Sequence, residues 1–288
     1  MFKSLTPGAI GVKGSLDELI GYAKTAGFQG VDVNIQEITS LVKEKGADHV
    51  KGMFADANLQ IGAWGLPVKW QADEDEFRES LGQLGDFAAA GAAVGATRVA
   101  QWVPAASDDL KFHNNFQWHV DRFKPIAEVL AEHGCRLGLE FIGPRTLRVD
   151  KPYGFIHSMD GMLALCYAIG TGNMGLLLDC WHWYTGLGTL SDLRGLTNND
   201  IVHVHVNDAP DGVDVSEQID NKRALPSETG VIDLVGFLKA VNEVGYDGPV
   251  SPEPFSQEVR AMPAEEAVRT THNALNQGWV AAGLGEEA

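Results

Sequence analysis

Four side chains that can bind a metal ion stand at the ends of short, mainly apolar runs. They are Glu140, Asp179, His205 and Glu253. A carboxylate at the end of an apolar strand costs free energy unless it is paired or bound to a cation. One such residue could simply cap the next helix, but capping does not account for four in succession. If the four meet, we expect one divalent cation to hold the carboxylates together. Three carboxylates with one imidazole suit Mn²⁺ first, with Mg²⁺ or Co²⁺ as alternatives, and no thiolate-rich zinc site is indicated.

A cation at such a site supports one kind of chemistry with three outcomes. Holding a substrate carbonyl and the adjacent hydroxyl, it acidifies the carbon between them and stabilises the enediolate formed on deprotonation. One carboxylate removes the proton and a second group returns it. Return to the neighbouring carbon isomerises the substrate, and return to the opposite face of the same carbon epimerises it. Expulsion of a β-hydroxyl or β-alkoxyl gives a dehydratase or lyase instead.

The elements that would position these residues alternate between short strands and longer helices. Nearly continuous apolar runs such as Met174-Gly-Leu-Leu-Leu178 are typical of parallel strands that are buried on both faces. The predicted strands are Ala9–Val12, Gly30–Ile35, Gln60–Gly65, Arg98–Val103, Arg136–Phe141, Met174–Cys180, Ile201–Asn207 and Pro249–Glu253. The predicted helix ends Gly27, Asn58, Gly95, Gly134 and Gly172 are spaced by 31, 37, 39 and 38 residues, one βα unit each.

Eight strands, each followed by a helix, predict an α/β fold with a single (β/α)₈ TIM barrel domain over residues 1–288. An open doubly wound sheet is the alternative, but the chain has no GxGxxG and no GxxxxGK[ST] turn. In a barrel, the carboxyl ends of the strands meet at one mouth, where active sites form. The barrel therefore predicts that the four strand-end residues converge there.

The residues around these strand ends resemble the xylose isomerase-like barrel superfamily. Its members include ketose 3-epimerases, hydroxypyruvate isomerases, and inosose dehydratases and isomerases. The resemblance rests on Leu139-Glu140, Leu178-Asp179-Cys-Trp-His182, His203-Val-His-Val-Asn-Asp208, Pro252-Glu253 and the segment Pro226–Asp233. It implies that Glu140, Asp179, His205 and Glu253 ligate one divalent metal ion. It also implies that Glu140 and Glu253 form the acid/base pair, and that His182 lies beside the substrate.

Three departures from the family pattern concern the substrate loops. Ser227-Glu-Thr-Gly230 stands where the family has Gly-x-Gly. Thr146 and Asp211 fall where ketose epimerases carry a second Glu and an Arg. Arg145 or Arg223 is available as a replacement for that arginine.

Further candidates for substrate contact are aromatic. Trp64, Trp102 and Trp181 lie at or just past predicted strand ends, and aromatic faces pack well on the C–H surface of sugars. His203, two residues before His205, is expected to be packed in the interior or to support a ligand. Asp208 is expected either to orient a histidine or to cap a loop.

The charge of the chain limits its partners. Lys and Arg total 22 against 39 Asp and Glu, giving a net charge of −17. A protein with this charge repels nucleic-acid backbones and anionic membranes, and we therefore expect neither as a partner. The same charge disfavours the nuclease branch of the superfamily. Three cysteines without a CxxC pair, and the lack of a signal-peptide pattern, predict a cytoplasmic protein.

These observations predict a metal-dependent sugar isomerase or epimerase that acts on a small keto-sugar or polyol ketone. A dehydratase or lyase acting on an inosose or a 3-keto-sugar is the second hypothesis. A non-catalytic subunit is disfavoured because the ligand set is intact. A homo-oligomer is compatible with this fold, since barrels of this kind often pair, and the sequence leaves the oligomeric state open.

Overall fold

A computed structural model describes residues 1–285 of the chain. The strands are, in chain order, β1 (Phe2–Leu5), β2 (Gly30–Val31), β3 (Gln60–Ile61), β4 (Trp64–Gly65), β5 (Arg98–Val103), β6 (Ala106–Ser107), β7 (Arg136–Phe141), β8 (Tyr153–Gly154), β9 (Met174–Asp179), β10 (Ile201–Val206) and β11 (Pro249–Pro252). The α-helices are α1 (Leu16–Ala26), α2 (Ile35–Lys45), α3 (Ala47–Ala57), α4 (Glu74–Val94), α5 (Phe112–Glu132), α6 (Met159–Ile169), α7 (Cys180–Thr185), α8 (Leu190–Arg194), α9 (Leu234–Glu243), α10 (Gln257–Ala261) and α11 (Ala264–Ala281).

Nine of the strands form one curled parallel sheet in the order β3-β2-β1-β11-β10-β9-β7-β5-β4. Its two edge strands, β3 and β4, are separated in the chain by Gly62 and Ala63 alone. The two ends of the sheet therefore meet at one short stretch of backbone, as in the TIM-barrel fold family. Strands β6 and β8 form a separate antiparallel pair beside this sheet.

The register of the sheet brings the strand-end residues into one layer. Strand β10 pairs with β9 so that His205 lies opposite Asp179, and it pairs with β11 so that His205 lies opposite Ser251. Strand β7 pairs with β5 so that Glu140 lies opposite Trp102. The parallel direction of the strands thus places these side chains at the same end of the sheet.

The first predicted strand, Ala9–Val12, is wrong. The first strand is Phe2–Leu5, which pairs with both β11 and β2, whereas Pro7–Ile10 forms a 3₁₀ turn. Proline has no N–H for a strand ladder, and Gly11 then turns the chain at a positive φ of 75°. The predicted strand Gly30–Ile35 is shorter than expected because the Asn34 side chain accepts a hydrogen bond from the Glu37 N–H and starts α2 at Ile35.

Side-chain and backbone caps define the ends of several helices. Ser15 and Glu18 form a reciprocal capping box at the start of α1, and Asp73 caps α4. Asn58 ends α3 in the left-handed region, at a φ of 56°. Within residues 1–285, no helix has both the length and the apolar character needed to cross a membrane.

Close packing of β7 against β9 makes Gly138 sensitive to substitution. A Cβ added there would lie 2.9 Å from the backbone nitrogen of Leu177 and 3.0 Å from the carbonyl oxygen of Leu176. We expect Gly138→Ala to lower the thermal midpoint by several degrees, because overpacking costs about 1–3 kcal/mol. Gly82→Ala, at an exposed position of α4 with nothing near the added Cβ, is the matched control.

We expect Gly82→Ala to raise the midpoint slightly, since alanine favours a helix by up to about 1 kcal/mol over glycine. Thermal unfolding followed by circular dichroism measures both variants. Equal midpoints for Gly138→Ala and the unaltered chain would show that the two strands can separate at no cost.

Candidate metal centre

The structure brings the four strand-end side chains together. Glu140, Asp179, His205 and Glu253 each offer one ligand atom, and these atoms all lie within 4.8 Å of one another. Glu140, Asp179 and His205 are buried, and Glu253 is half-buried. Asp179 also caps α7, because its Oδ1 accepts a hydrogen bond from the Trp181 N–H at 2.7 Å. Capping and membership of the cluster are therefore compatible roles for one residue.

Two atoms of this cluster lack a hydrogen-bond partner. Glu140 Oε1 and His205 Nδ1 are both buried, and neither has a hydrogen-bond partner among residues 1–285. His205 Nδ1 lies 3.9 Å from Glu140 Oε1 and 3.4 Å from Glu253 Oε2. Buried polar atoms in folded proteins normally have partners, and a cation among these three atoms would supply one. The donor set of three carboxylates and one imidazole fits a divalent ion.

Burial and the neighbouring charges shift the pKa values of three cluster residues in different directions. Burial, together with the charges of Glu253 and Asp179, raises the pKa of Glu140 well above its ordinary value. Burial alone would raise the pKa of Glu253, but His205 and Arg223 lower it below the ordinary value. Burial alone would likewise lower the pKa of His205, whereas Glu253 and Glu140 raise it to about 9.

Arg223 is the main counter-charge of the centre. Its Nη1 donates to Asp179 Oδ2 at 2.7 Å and to Glu253 Oε2 at 3.1 Å, while its Nη2 donates to Asp220 Oδ1 at 2.8 Å. The side chain is 1% exposed, and its guanidinium lies over the rings of Trp181 and Phe255. The sequence offered Arg223 only as one of two replacements for a family arginine, because its distance in the chain from the cluster gives no signal of this contact.

His182 lies behind the cluster as a neutral imidazole. Burial lowers its pKa to about 4. Its Nδ1 accepts a hydrogen bond from the Gly143 N–H at 3.2 Å, and its Nε2 lies 3.3 Å from Arg223 Nη2. The nearest carboxylate oxygens, of Glu140 and Asp220, lie 3.8 and 3.7 Å from Nε2.

A cavity of about 660 Å³ opens from the cluster toward the loops that follow β1, β2, β4 and β5. Glu140, His205 and Glu253 form its inner end, and Lys13 and Gln36 belong to its outer part. The opposite side of the cluster is closed by Arg223 and His182, which do not line the cavity. A substrate therefore has access to the cluster from one side.

The tryptophans predicted to contact substrate divide into two groups. Trp102, 49% exposed, and Trp64, which is buried and donates from its indole N–H to the Ala96 carbonyl, both line the cavity. Trp181 does not, because it is fully buried beneath Arg223. Arg145 is exposed and lines a separate groove with Arg148 and Phe155.

Asp32 is a cavity residue that the sequence interpretation missed. It accepts hydrogen bonds from the hydroxyls of Ser4, Thr6 and Ser251 and from the Ala63 N–H. His203 lies against it, with Nε2 3.5 Å from Asp32 Oδ2. Although burial opposes the shift, His203 and these donors lower the pKa of Asp32. Asp32 lies between two valines of a predicted strand, so it interrupts an apolar run as Glu140 and Asp179 do. This pattern could have identified it from the sequence.

Asp208 holds a turn, and no histidine of the described part of the chain is hydrogen-bonded to its carboxylate. Its carboxylate accepts hydrogen bonds from the backbone N–H groups of Thr229, Gly230 and Ile232 at 3.0, 2.7 and 2.9 Å. Its backbone forms a bridge with Ala224, next to Arg223. The segment that departs from the family's Gly-x-Gly is therefore fixed by one carboxylate.

Thr146 and Asp211, which differ from the ketose epimerase pattern, also have structural contacts. Thr146 Oγ1 donates to the Gln218 carbonyl at 2.8 Å, which attaches the loop after β7 to the loop that carries Arg223. Asp211 accepts from the neighbouring Gly212 N–H in an exposed turn.

The chain belongs to the xylose isomerase-like TIM barrel family, whose model matches residues 20–277. Among curated proteins, it is 25% identical over 252 residues to an inosose isomerase of Halalkalibacterium halodurans, covering 86% of each chain. It is 31% identical over 147 residues to a 3-dehydroshikimate dehydratase of Pseudomonas aeruginosa, a match that covers 50% of this chain and 22% of that protein. Its relatives are therefore enzymes, both isomerases and dehydratases.

Two solved structures support the same fold. A xylose isomerase domain protein from Alicyclobacillus acidocaldarius superposes with a TM-score of 0.84 at 29% identity, covering 98% of this chain and 99% of that one. The IolI protein with a bound zinc atom superposes with a TM-score of 0.80 at 18% identity, covering both chains completely.

The buried position of Arg223 predicts a stability loss on its removal. We expect Arg223→Met to destabilise the metal-free protein by about 3–5 kcal/mol, because it leaves Asp179 and Glu253 buried without their partner. Arg194→Met, which removes an exposed pair with Glu243, should cost at most about 1 kcal/mol. Urea unfolding in the presence of a chelator measures both. A loss for Arg223→Met no larger than for Arg194→Met would show that the cluster does not need this counter-charge.

Proposed function

We propose that the protein is a divalent-metal-dependent isomerase or epimerase of a keto-sugar or related polyol ketone. The observation that carries the proposal is the cluster of Glu140, Asp179, His205 and Glu253, two of whose buried atoms lack partners at the inner end of a cavity. The inosose isomerase relative, which matches most of the chain, supports this reaction class.

The four clustered residues are proposed as ligands of one metal ion, with Mn²⁺ as the first candidate and Mg²⁺ or Co²⁺ as alternatives. Three carboxylates and one imidazole are a hard, oxygen-rich set that suits these ions. When bound, the ion would supply Lewis-acid polarisation of the substrate carbonyl and its neighbouring hydroxyl. The IolI protein, which shares the fold, has a bound zinc atom, and this supports a metal ion on the same scaffold.

The two glutamates are proposed as the acid/base pair. His205 and Arg223 lower the pKa of Glu253, which favours this residue as the proton acceptor, whereas burial and the charges of Glu253 and Asp179 raise the pKa of Glu140. Both side chains line the cavity, so each can reach a bound substrate. Glu253 is therefore assigned to remove the proton α to the carbonyl, and Glu140 to return it. Trp64 and Trp102 would contact the substrate ring from the cavity wall.

A dehydratase or lyase is the second candidate. The 3-dehydroshikimate dehydratase relative is the observation that favours it. The same proton removal by Glu253 followed by loss of a β-substituent gives elimination, so the donor set alone supports both reactions.

Several expectations about the chain as a whole remain predictions. These are a closed eight-fold barrel over one domain of residues 1–288, a homo-oligomer, a cytoplasmic location, and the absence of nucleic-acid and membrane partners. The acidic charge of the chain supports the last of these.

Metal content tests the proposed ligands. We expect the protein to bind one divalent ion per chain, and His205→Gln to weaken that binding by about tenfold or more because it removes the only imidazole of the set. His113→Gln, at an exposed position of α5, is the matched control and should bind as the unaltered chain does. Equilibrium dialysis against Mn²⁺ with elemental analysis gives the stoichiometry. Equal binding by the two variants would contradict the proposed ligand set.

Proton exchange tests the role of Glu253. We expect Glu253→Gln, saturated with Mn²⁺, to slow deuterium incorporation at the carbon next to the substrate carbonyl by about 10²–10⁴-fold, because an amide is no base. Glu258→Gln, five residues further on and exposed, should exchange normally. Mass spectrometry and NMR of 2-keto-myo-inositol and ketohexoses incubated in D₂O measure the exchange. Unchanged exchange in Glu253→Gln would remove this residue from the reaction, and loss of water from the substrate would select the dehydratase.

A further inference from the structure

The cavity offers one side chain with a permanent positive charge. Among the described residues that line it, Lys13 is the only lysine or arginine, and it is exposed on the loop after β1. The lining also includes four acidic residues, Asp32, Glu37, Glu140 and Glu253. A phosphate or carboxylate group normally binds to paired donors such as a bidentate arginine or a cluster of cations.

Arg223, which contacts the cavity residue Glu253, is not available to a ligand. The guanidinium of Arg223 is occupied by Asp179, Glu253 and Asp220, and Arg223 is not among the residues that line the cavity. Arg145 and Arg148 belong to the separate groove. A divalent ion and Arg223 would supply three positive charges against the four carboxylates of Glu140, Asp179, Asp220 and Glu253, so the centre would have no surplus positive charge for an anionic substrate even when one of these carboxylates is protonated.

The helix that begins at the cavity wall is already neutralised by its own residues. The N-terminus of a helix attracts anions, and α2 starts beside the cavity at Ile35. However, Asn34 Oδ1 accepts the Glu37 N–H at 3.1 Å, and the Glu37 carboxylate lies in the first turn, where it accepts the Leu16 N–H at 2.8 Å. A second anion there would be repelled by Glu37.

The remaining lining suits an uncharged ring. Trp102 offers a half-exposed aromatic side chain, and the side-chain amides of Gln101 and Gln36 offer donors and acceptors to hydroxyl groups. We infer that the substrate is an uncharged cyclic polyol ketone, and that the site rejects sugar phosphates and keto acids. The inference rests on the proposed function and specifies the substrate class of that site.

Binding measurements on the Mn²⁺-loaded protein test this inference. The probes are 2-keto-myo-inositol, 3-dehydroshikimate and fructose 6-phosphate, titrated by calorimetry at low and high salt. We expect the uncharged inosose to bind at least about tenfold more tightly than either anion, with less than about twofold change on adding salt. Binding of the anions should strengthen with salt, because salt screens repulsion by the acidic lining. Equal or tighter binding of an anion, weakened by salt, would overturn the inference.

Charge variants separate the cavity from the general charge of the protein. Gln36→Lys adds a cation to the lining and should tighten 3-dehydroshikimate binding by about threefold or more relative to the inosose. Lys51→Glu changes the charge on exposed α3, away from the cavity, and should leave the ratio of the two affinities unchanged. A ratio that shifts as much in Lys51→Glu as in Gln36→Lys would show that long-range charge, not the lining, sets the preference.

Exchange measurements distinguish this inference from the proposed function. Deuterium exchange into 3-dehydroshikimate or fructose 6-phosphate, with none into the inosose, would overturn the inference and leave the proposed reaction class standing. Absence of metal binding and of exchange into every probe would overturn the proposed function and the inference with it.

Discussion

The burial of three carboxylates at one end of a parallel sheet is the constraint on which the rest of the site depends. Glu140, Asp179 and Glu253 follow apolar strands whose sides are covered, so their charges are held away from bulk water. Ions transferred into such surroundings cost several kcal/mol each unless they are compensated. His205 and Arg223 supply compensation, and a divalent ion would add more. The side chains beside the cluster are therefore selected first for charge balance and only then for contact with a substrate.

The loop that carries Arg223 is a structural part of the centre for the same reason. Arg223 must reach Asp179 across 44 residues of chain, so the loop after β10 has to return to the cluster in one defined path. Asp208 fixes the base of this loop through the bridge to Ala224 and the hydrogen bonds to the following turn. Trp181 supports the guanidinium from below. An aromatic residue predicted from its strand-end position to contact substrate thus packs against a cation instead.

The sequence predicted the cluster because each member interrupts or ends its own apolar run, a local signal that strand direction converts into proximity. Arg223 and Asp220 give no such signal, since they lie in a polar loop whose path depends on tertiary contacts. The first strand was misplaced because Phe2-Lys-Ser-Leu5 is short and half polar, whereas Ala9–Val12 is more apolar. The assignment of Phe2–Leu5 as a strand depends on its pairing with β11 and β2, which lie far away in the chain.

The position of the cavity explains why the donor set identifies a reaction class and not a single reaction. The cluster and its counter-charge are supplied by β7, β9, β10, β11 and the loop after β10. The open side of the cavity is supplied instead by the loops after β1, β2, β4 and β5. The residues proposed to remove the proton lie on the first of these two sets of elements. The loops of the second set orient the substrate, and this orientation decides which carbon receives the proton or which group leaves. Changes in these loops can therefore convert isomerisation into elimination while the four clustered residues stay the same. This division explains why isomerases and dehydratases occur among relatives of one fold.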